Sequence, residues 1–252
     1  MLSQNKIKYL TSLQSKKFRQ KYNIFVAEGE KICLEILKEK KIEVESIFAI
    51  KSWCEKHAYL LQHYGAKVEE ISESELKKIS SLTTPNQVLI TARPQDFALD
   101  KNLIFNDLVL YLDGIQDPGN MGTILRNADW FGIPYVFCSD TCVDIYNSKV
   151  IQSSMGAFLR VKSKEISLPT LLDGAKNIPI YGALLEGENI FQSKLEQKGI
   201  IVIGSEGKGI SDANLPLISH KIKIPDYGNG AESLNAAVAS GIICALFRYV
   251  KS

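Results

Sequence analysis

Apolar residues in the first 92 positions alternate between helical and extended spacing. Ile7, Leu10 and Leu13 recur at the spacing of one helix face, and short apolar runs follow them. This alternation predicts a small α/β unit. Beyond the first helix, the predicted helices lie at 31–40, 53–63 and 73–79, and the predicted strands at 24–27, 46–50, 67–71 and 87–92.

The stretch from 93 to 101 loses this periodicity, because it combines Pro94 with charges of both signs. Such a stretch between two periodic regions is typical of a linker. We therefore expect an N-terminal domain at 1–95 and a C-terminal domain at 103–252. A chain of 252 residues is long enough to bury the cores that these domains need.

The C-terminal part also alternates strands with helical segments. Strands interleaved with helices favour a mostly parallel sheet that is covered on both faces. Ligands of such sheets bind at the carboxyl ends of the strands. The predicted strands lie at 108–112, 135–138, 180–184, 200–203 and 221–224, and the predicted helices include 122–131 and 233–249.

Three glycine-rich turns follow strands of this predicted sheet, at 113–122, 204–209 and 225–235. Three such turns with polar side chains predict strand ends that converge on one ligand. The polar residues are Asn120, Glu206, Ser233 and Asn235. Simpler interpretations stay open. Ser233 could have no role beyond capping the last helix, Asn235 could be a surface amide, and Glu206 could be a solvated acid.

Neither common phosphate-binding loop fits the second turn. A Walker A loop needs a glycine five residues before Gly207 and a hydroxyl after Lys208, but Val202 and Gly209 stand there. A dinucleotide fingerprint would need a third glycine where Asp212 lies. What remains is a pocket built largely from main chain, which glycines allow to approach a flat, uncharged ring such as adenine.

Charge is distributed unevenly along the chain. The formal net charge of +2 is too small to indicate a partner. The first 27 residues, however, contain six lysines and arginines and no acid. Such a basic arm is either a solvated helix face or a contact for a polyanion, and charge alone does not separate the two.

Cysteine and histidine placement argues against a metal site. The five cysteines are odd in number and lie mostly in apolar stretches, so we expect buried thiols in a reducing compartment. His57, His63 and His220 are not spaced to complete a zinc site, and no metal is expected. The longest nearly apolar stretch, 236–247, is too short to span a bilayer, and we expect a cytoplasmic protein.

Three ordered segments resemble the motifs of the SpoU (TrmH) family of the SPOUT superfamily. They read NMGTILRNA at 120–128, IGSEGKG at 203–209 and ESLN at 232–235. The intervening segment 147–156 is also similar, and residues 6–30 resemble the start of the family's N-terminal domain. Members of this family are S-adenosylmethionine-dependent RNA ribose 2′-O-methyltransferases.

The resemblance implies a C-terminal SPOUT domain, an α/β fold with a mostly parallel sheet and a deep trefoil knot. It also implies a small N-terminal L30e-like α/β domain that binds the RNA substrate, and a homodimer packed through the knotted domains. The cofactor is then S-adenosyl-L-methionine. The residues expected to hold it are Leu184, Gly204, Glu206, Gly207, Ile224, Pro225, Ser233, Leu234 and Asn235.

By the same resemblance, Arg126 contacts the target nucleotide. An arginine with a pKa above about 12 is a poor general base, so we expect its guanidinium to bind the adjacent phosphate and stabilise a developing alkoxide. The catalytic set is completed by Asn120, Glu206, Ser233 and Asn235. The expected RNA-binding residues are Lys16, Lys17, Arg19 and Arg126, whereas Phe18 is expected to pack inside the domain.

Two positions depart from the family pattern. Gln152 stands where many relatives have arginine, which removes a possible phosphate contact, and Ala236 stands where valine is frequent. Ribosomal RNA is the favoured substrate because of the appended L30e-like domain. The alternatives are a transfer-RNA ribose methyltransferase, a base methyltransferase, and a non-catalytic RNA-binding or ribosome-assembly protein.

Overall fold

The computed structural model of the protein describes residues 1–175, 177–228 and 232–249. In chain order the strands are β1 (Phe25–Glu28), β2 (Val44–Ala49), β3 (Val68–Glu70), β4 (Val88–Ala92), β5 (Leu108–Asp113), β6 (Tyr135–Cys138), β7 (Lys162–Glu165), β8 (Ile180–Asn189), β9 (Gly199–Gly204) and β10 (His220–Lys223). The helices are α1 (Gln4–Ser12), α2 (Lys16–Tyr22), α3 (Glu30–Glu39), α4 (Lys51–Lys56), α5 (Ala58–Leu61), α6 (Glu73–Ile79), α7 (Lys101–Ile104), α8 (Pro118–Trp130), α9 (Ser148–Ser154), α10 (Leu168–Leu172) and α11 (Ala236–Tyr249).

The chain divides into two compact units, residues 1–96 with 146–159 and residues 97–145 with 160–252. The first unit is built on a four-stranded sheet in the order β1-β4-β2-β3. Strand β4 is antiparallel to β1 and β2, and β2 is parallel to β3. Leu10, Phe48 and Leu89 belong to its core. The predicted alternation of helices and strands is confirmed, except that helix α2 was not predicted and residues 53–63 fall into two short helices, α4 and α5.

The segment 146–159, which contains α9, belongs to the first unit, although the sequence assigns it to the C-terminal domain. The ring of Tyr146 lies 4.8 Å from the ring of Phe25. Gly156 has a φ of 88°, and a Cβ atom there would lie 2.2 Å from the Glu35 carboxylate. These contacts join positions that are distant in sequence, which periodicity does not report.

The second unit contains a six-stranded sheet in the order β10-β8-β9-β5-β6-β7. Every neighbouring pair is parallel, so the expected mostly parallel α/β sheet is confirmed. Central strand β5 is buried along its whole length, as expected for a strand that is covered on both faces. The sequence analysis missed β7, because this edge strand reads KSKE and buries only Ser163.

Candidate functional site

The three glycine-rich turns begin at one edge of the parallel sheet. Strand β5 ends at Asp113, β9 at Gly204 and β10 at Lys223. Parallel strands place their carboxyl ends together, so the turns leave the sheet on the same side. Residues 229–231 of the third turn lie outside the described residues.

A cleft of about 620 Å³ opens at this edge, between the end of β8, the second turn, β10 and the start of α11. Pockets for small molecules usually measure about 300–1,000 Å³ and are mostly apolar. The cleft meets both conditions, since its walls include Leu184, Ile203, Ile210, Ile224, Leu234 and Ile243. Seven expected cofactor residues line it, namely Leu184, Gly204, Glu206, Gly207, Ile224, Ser233 and Leu234, whereas Pro225 and Asn235 do not.

A wide bulge in strand β8 forms one wall of the cleft. Lys221 of β10 pairs with Gly182 and Ile222 pairs with Glu188, so residues 183–187 of β8 have no partner in β10. A Cβ atom on Gly187 would lie 2.8 Å from the main chain of Lys221, so only glycine lets the bulge close against β10. The sequence prediction ended this strand at 184 and missed the bulge.

The second turn is a tight hairpin from Ser205 to Gly209. The Ser205 N–H donates to the Gly209 oxygen at 3.1 Å, and the Gly209 N–H donates back at 2.9 Å. A Cβ atom on Gly204 would lie 2.1 Å from the main-chain carbon of Gly209, so no side chain fits there. Within the described chain, the N–H groups of Glu206 and Gly207 have no hydrogen-bond partner, and these residues line the cleft. The hairpin therefore offers two main-chain donors to a ligand.

Asn235, not Ser233, caps the last helix. Helix α11 begins at Ala236, and Asn235 Oδ1 accepts from the N–H groups of Ala237 at 3.0 Å and Val238 at 3.2 Å. The predicted start at 233 is therefore wrong, and Asn235 is not a surface amide inside the helix. Ser233 precedes the helix, where it lines the cleft.

A chain of hydrogen bonds connects the three turns. Asn120 Nδ2 donates to Glu206 Oε1, and Asn235 Nδ2 donates to Asn120 Oδ1 at 2.9 Å. Each amide uses its nitrogen as a donor and its oxygen as an acceptor, which fixes its orientation. Three of the predicted catalytic residues are thus in direct contact.

The first turn lies beside the cleft and does not line it: no residue from 113 to 122, all of them described, contributes to its walls. The Gly114 N–H donates to Ser139 Oγ at 3.0 Å, and the Ile115 N–H donates to Cys142 Sγ at 3.2 Å. Hydrogen bonds, chiefly with Cys138, lower the pKa of the Cys142 thiol against the opposing effect of burial. The first turn uses these N–H groups to bind the loop after β6. The prediction that all three turns surround one ligand is therefore wrong for the first turn.

Comparison with known proteins identifies the family. The sequence model of the SpoU rRNA methylase family matches residues 107–245, and that of the MRM3-like substrate binding domain matches residues 4–90. The chain belongs to the SpoU rRNA methylase family. The expected N-terminal substrate-binding domain is therefore found.

Individual relatives of this SpoU chain match over nearly its whole length. It is 31% identical over 245 residues to the 23S rRNA (guanosine(2553)-2′-O)-methyltransferase RlmP of Bacillus subtilis, with 94% of each chain covered. A solved TrmH-family structure from Porphyromonas gingivalis is 35% identical, with a TM-score of 0.84 and 99% of both chains covered. The AdoMet-bound rRNA methyltransferase of Sinorhizobium meliloti has the same fold, with a TM-score of 0.86, 21% identity, and coverage of 99% and 97%.

The arginine of the first SpoU motif, Arg126, is exposed on α8 and does not line the cleft. Helix α8 begins at Pro118, after an N-cap at Asp117, so Arg126 lies more than two turns into the helix and not near its start. No residue of the described chain forms a hydrogen bond or ion pair with its guanidinium. The described part of the chain therefore leaves the guanidinium of Arg126 without a partner.

Asn127, the residue after Arg126, makes a contact that the sequence analysis missed. Its side-chain nitrogen donates to the Ala237 oxygen at 2.9 Å and to Ser240 Oγ at 2.7 Å. Asn127 follows Asn120 by two helical turns and so shares its face of α8. Two asparagines at this spacing were a readable signal for a polar contact between SpoU motifs.

The predicted RNA-binding residues of the basic arm differ in exposure. Lys17 is exposed and Lys16 is half-buried. Arg19 is only 6% exposed, and its guanidinium donates to the carbonyl oxygens of Leu13 at 2.9 Å and Gln14 at 2.8 Å. Helix ends leave such carbonyls without partners, so Arg19 stabilises the end of α1 and is not an RNA contact. Phe18 stacks on Tyr22 at 6.2 Å between ring centres.

The remaining features of the SpoU chain concern thiols, metals and membranes. All five cysteines are free, and all except the half-buried Cys54 are buried. Among the described residues no group of three or more His, Cys, Asp or Glu side chains is arranged to hold a metal ion. In the same part of the chain, every helix is too short or too polar to cross a membrane.

Proposed function

We propose that this protein transfers the methyl group of S-adenosylmethionine to a ribose 2′-hydroxyl of ribosomal RNA. The observation that carries the proposal is the cleft between the second and third SpoU motifs, with the Glu206–Asn120–Asn235 chain beside it. Relatives support it, since those named RlmP and RlmB are 23S rRNA 2′-O-methyltransferases. Ribosomal RNA as substrate would place the protein in the compartment where ribosomes are made.

The cleft fits S-adenosylmethionine in size and in lining. Leu184, Ile224 and Leu234 offer apolar surface to the adenine, and the N–H groups of Glu206 and Gly207 can donate to polar ligand atoms. A Cβ atom on Gly207 would meet no protein atom within 4 Å, so the main chain is open to the ligand there. The cofactor supplies, when bound, a methyl group activated by its positively charged sulfur.

The protein then has to orient the acceptor ribose and make its hydroxyl more nucleophilic. We assign to Arg126 the binding of the neighbouring phosphate and the stabilisation of the developing alkoxide, since its guanidinium has no partner in the described chain. Asn120, Glu206 and Asn235 hold the motif loops together. The Ser233 hydroxyl, which has no partner among the described residues, is assigned to the bound reactants.

The first unit is proposed to bind the RNA substrate, as its match to a substrate-binding domain suggests. Exposed Lys17 and half-buried Lys16 supply positive charge, whereas Arg19 stabilises the end of helix α1. Proteins recognise RNA sequence mainly through unpaired bases, whereas their contacts with phosphates supply affinity. The lysines are therefore expected to contribute affinity more than choice of nucleotide.

We further propose the family's trefoil knot and a homodimer that packs through α8 and α11. Val238 and Tyr249 are exposed on one face of α11, and Trp130 of α8 is 85% exposed. Exposed apolar side chains of this size on two packed helices favour a protein interface there. Arg126 precedes Trp130 by one helical turn, so such a dimer would bring Arg126 to the interface.

The test is methyl transfer by the purified protein from labelled S-adenosylmethionine to ribosomal RNA, with transfer RNA as the competing substrate. Digestion of the product to nucleosides and mass spectrometry should give a 2′-O-methylated nucleoside from ribosomal RNA. A base-methylated nucleoside, or label only in transfer RNA, would contradict the proposal. Mapping 2′-O-methyl sites in cells with and without the gene would then identify the nucleotide.

A non-catalytic RNA-binding protein is the competing function. The two proposals differ in cofactor affinity, because a scaffold has no need of a formed cleft. Isothermal titration of the purified protein with S-adenosylmethionine should show saturable binding at one site per chain. A flat titration would favour the scaffold.

A further inference from the structure

Asp113, the last residue of β5, is a buried carboxylate outside the cleft. Asp113 is only 4% exposed. One oxygen, Oδ2, accepts from the Ser211 N–H at 2.9 Å, the Ser211 hydroxyl at 2.7 Å and Asn214 Nδ2 at 2.8 Å. No lysine or arginine of the described chain pairs with it. Three donors therefore compensate the burial of this charge.

The donors belong to the segment that leaves the second turn. Ile210, Asp212 and Leu215 of this segment line the cleft, and they alternate with the residues that Asp113 binds. Asn120, which follows the same strand, binds Glu206 at the start of the second turn. The first turn thus holds the second at both ends, through Asn120 on one side and Asp113 on the other.

We propose that Asp113 is a positioning residue for cofactor binding. Its carboxylate acts through Ser211 and Asn214, which fix the cleft wall formed by Ile210, Asp212 and Leu215. Asp113 thus gives the first turn, which does not line the cleft, an indirect role in cofactor binding. The inference rests on the proposed function, because it takes S-adenosylmethionine as the ligand of the cleft.

The test is the Kd of S-adenosylmethionine for the full chain, measured by isothermal titration below the unfolding temperature of every variant. Asp113→Asn keeps the shape but removes the charge, and hydrogen bonds to an ionised acceptor are about twice as strong as neutral ones. We expect the Kd to rise roughly five- to tenfold, the latter being a change of about 1.4 kcal/mol.

A buried carboxylate in the other unit supplies the matched control. Glu28 is 5% exposed and accepts hydrogen bonds from the hydroxyls of Ser80 and Ser81 and, at 2.9 Å, from the Ser81 N–H. Glu28→Gln therefore removes a comparable charge from a comparable set of donors. Both Glu28→Gln and Asp113→Asn should lower the unfolding temperature, but Glu28→Gln should leave the Kd of S-adenosylmethionine unchanged.

A second variant keeps the inference testable should Asp113→Asn fold poorly. Ser211 is exposed, so Ser211→Ala removes one donor at little risk to folding. It should raise the Kd roughly two- to threefold, and its effect should shrink in the Asp113→Asn background because the two residues share one interaction.

Each outcome has a definite consequence. A higher Kd for Asp113→Asn and for Ser211→Ala, with an unchanged Kd for Glu28→Gln, supports the inference. Equal Kd values for the unaltered protein and Asp113→Asn, or an equal rise in Glu28→Gln, would overturn it while leaving the proposed function in place. If the unaltered protein fails to bind S-adenosylmethionine, the proposed function fails and the inference fails with it.

Discussion

The first and second glycine-rich turns look alike in sequence, but they use their main chain differently. In the first turn, the N–H groups of Gly114 and Ile115 bond to side chains of the loop after β6. In the second, the N–H groups of Glu206 and Gly207 have no partner within the described chain, and both residues line the cleft. A glycine-rich turn can therefore be a scaffold or a ligand cradle, and the hydrogen bonds decide which it is.

The glycines of the two turns also serve different purposes. Gly114 has a φ of 74°, a conformation that favours glycine, and an added Cβ would lie in ordinary contact with Ser205 at 3.7 Å. Gly204 is required for close approach, because an added Cβ would lie 2.1 Å from the main chain of Gly209. Variants that affect methyl transfer and cofactor binding separately can test this difference between the first and second turns.

The largest effect is expected from Arg126→Ala, on the helix that follows the first turn. Turnover should fall roughly 10²–10³-fold, as when one electrostatic stabiliser of a transition state is removed. The Kd of S-adenosylmethionine should stay within about twofold, because Arg126 does not line the cleft. Single-turnover methyl transfer and isothermal titration measure the two quantities. Unchanged turnover would remove Arg126 from the mechanism.

Gly204→Ala should act in the opposite way, on binding and on folding. The clash with Gly209 should lower the free energy of unfolding by about 1–3 kcal/mol, the usual cost of overpacking. It should also raise the Kd of S-adenosylmethionine roughly tenfold or more, since the hairpin at the cleft has to shift.

Gly207→Ala is the matched control in the same hairpin. An added Cβ meets no atom within 4 Å, so thermal unfolding should change little. Equal unfolding temperatures for Gly204→Ala and the unaltered protein would contradict the role given to Gly204.

A smaller effect should separate two cations of the basic arm. Lys17→Ala should leave stability unchanged and reduce the slope of log affinity for RNA against log salt by about one unit. Arg19→Ala should lower the free energy of unfolding by about 1.5–3 kcal/mol, because two hydrogen bonds to a charged group are lost. RNA-binding titrations across salt concentrations and thermal melts measure these effects. A flatter salt slope without any loss of stability in Arg19→Ala would contradict the buried role of this residue.

Sequence patterns predicted the parallel sheet because its central strands β5, β6 and β9 are buried and apolar along most of their length. They missed β7, whose three charged residues resemble a loop at the edge of the sheet. The start of α8 was predicted four residues late, at 122, although Asp117 followed by Pro118 is a typical N-cap and first helical residue. The start of α11 was also predicted wrongly, at 233, because Ser233 and Asn235 are equally good caps.

The site was predictable only where local chemistry determines it. The motif residues Asn120, Glu206 and Asn235 could be named, but their mutual hydrogen bonds depend on how distant segments meet. The burial of Arg19 and the membership of 146–159 in the first unit depend on long-range packing in the same way. Charge pattern and periodicity carry no information about such contacts.

The most direct test is a crystal structure of the protein with S-adenosylmethionine. The adenine should lie against Leu184, Ile224 and Leu234, with the N–H groups of Glu206 and Gly207 in hydrogen-bond reach of the ligand and no contact from residues 113–119. A ligand bound on the first turn, or anywhere outside the cleft, would contradict the assignment of the second and third turns as the cofactor site.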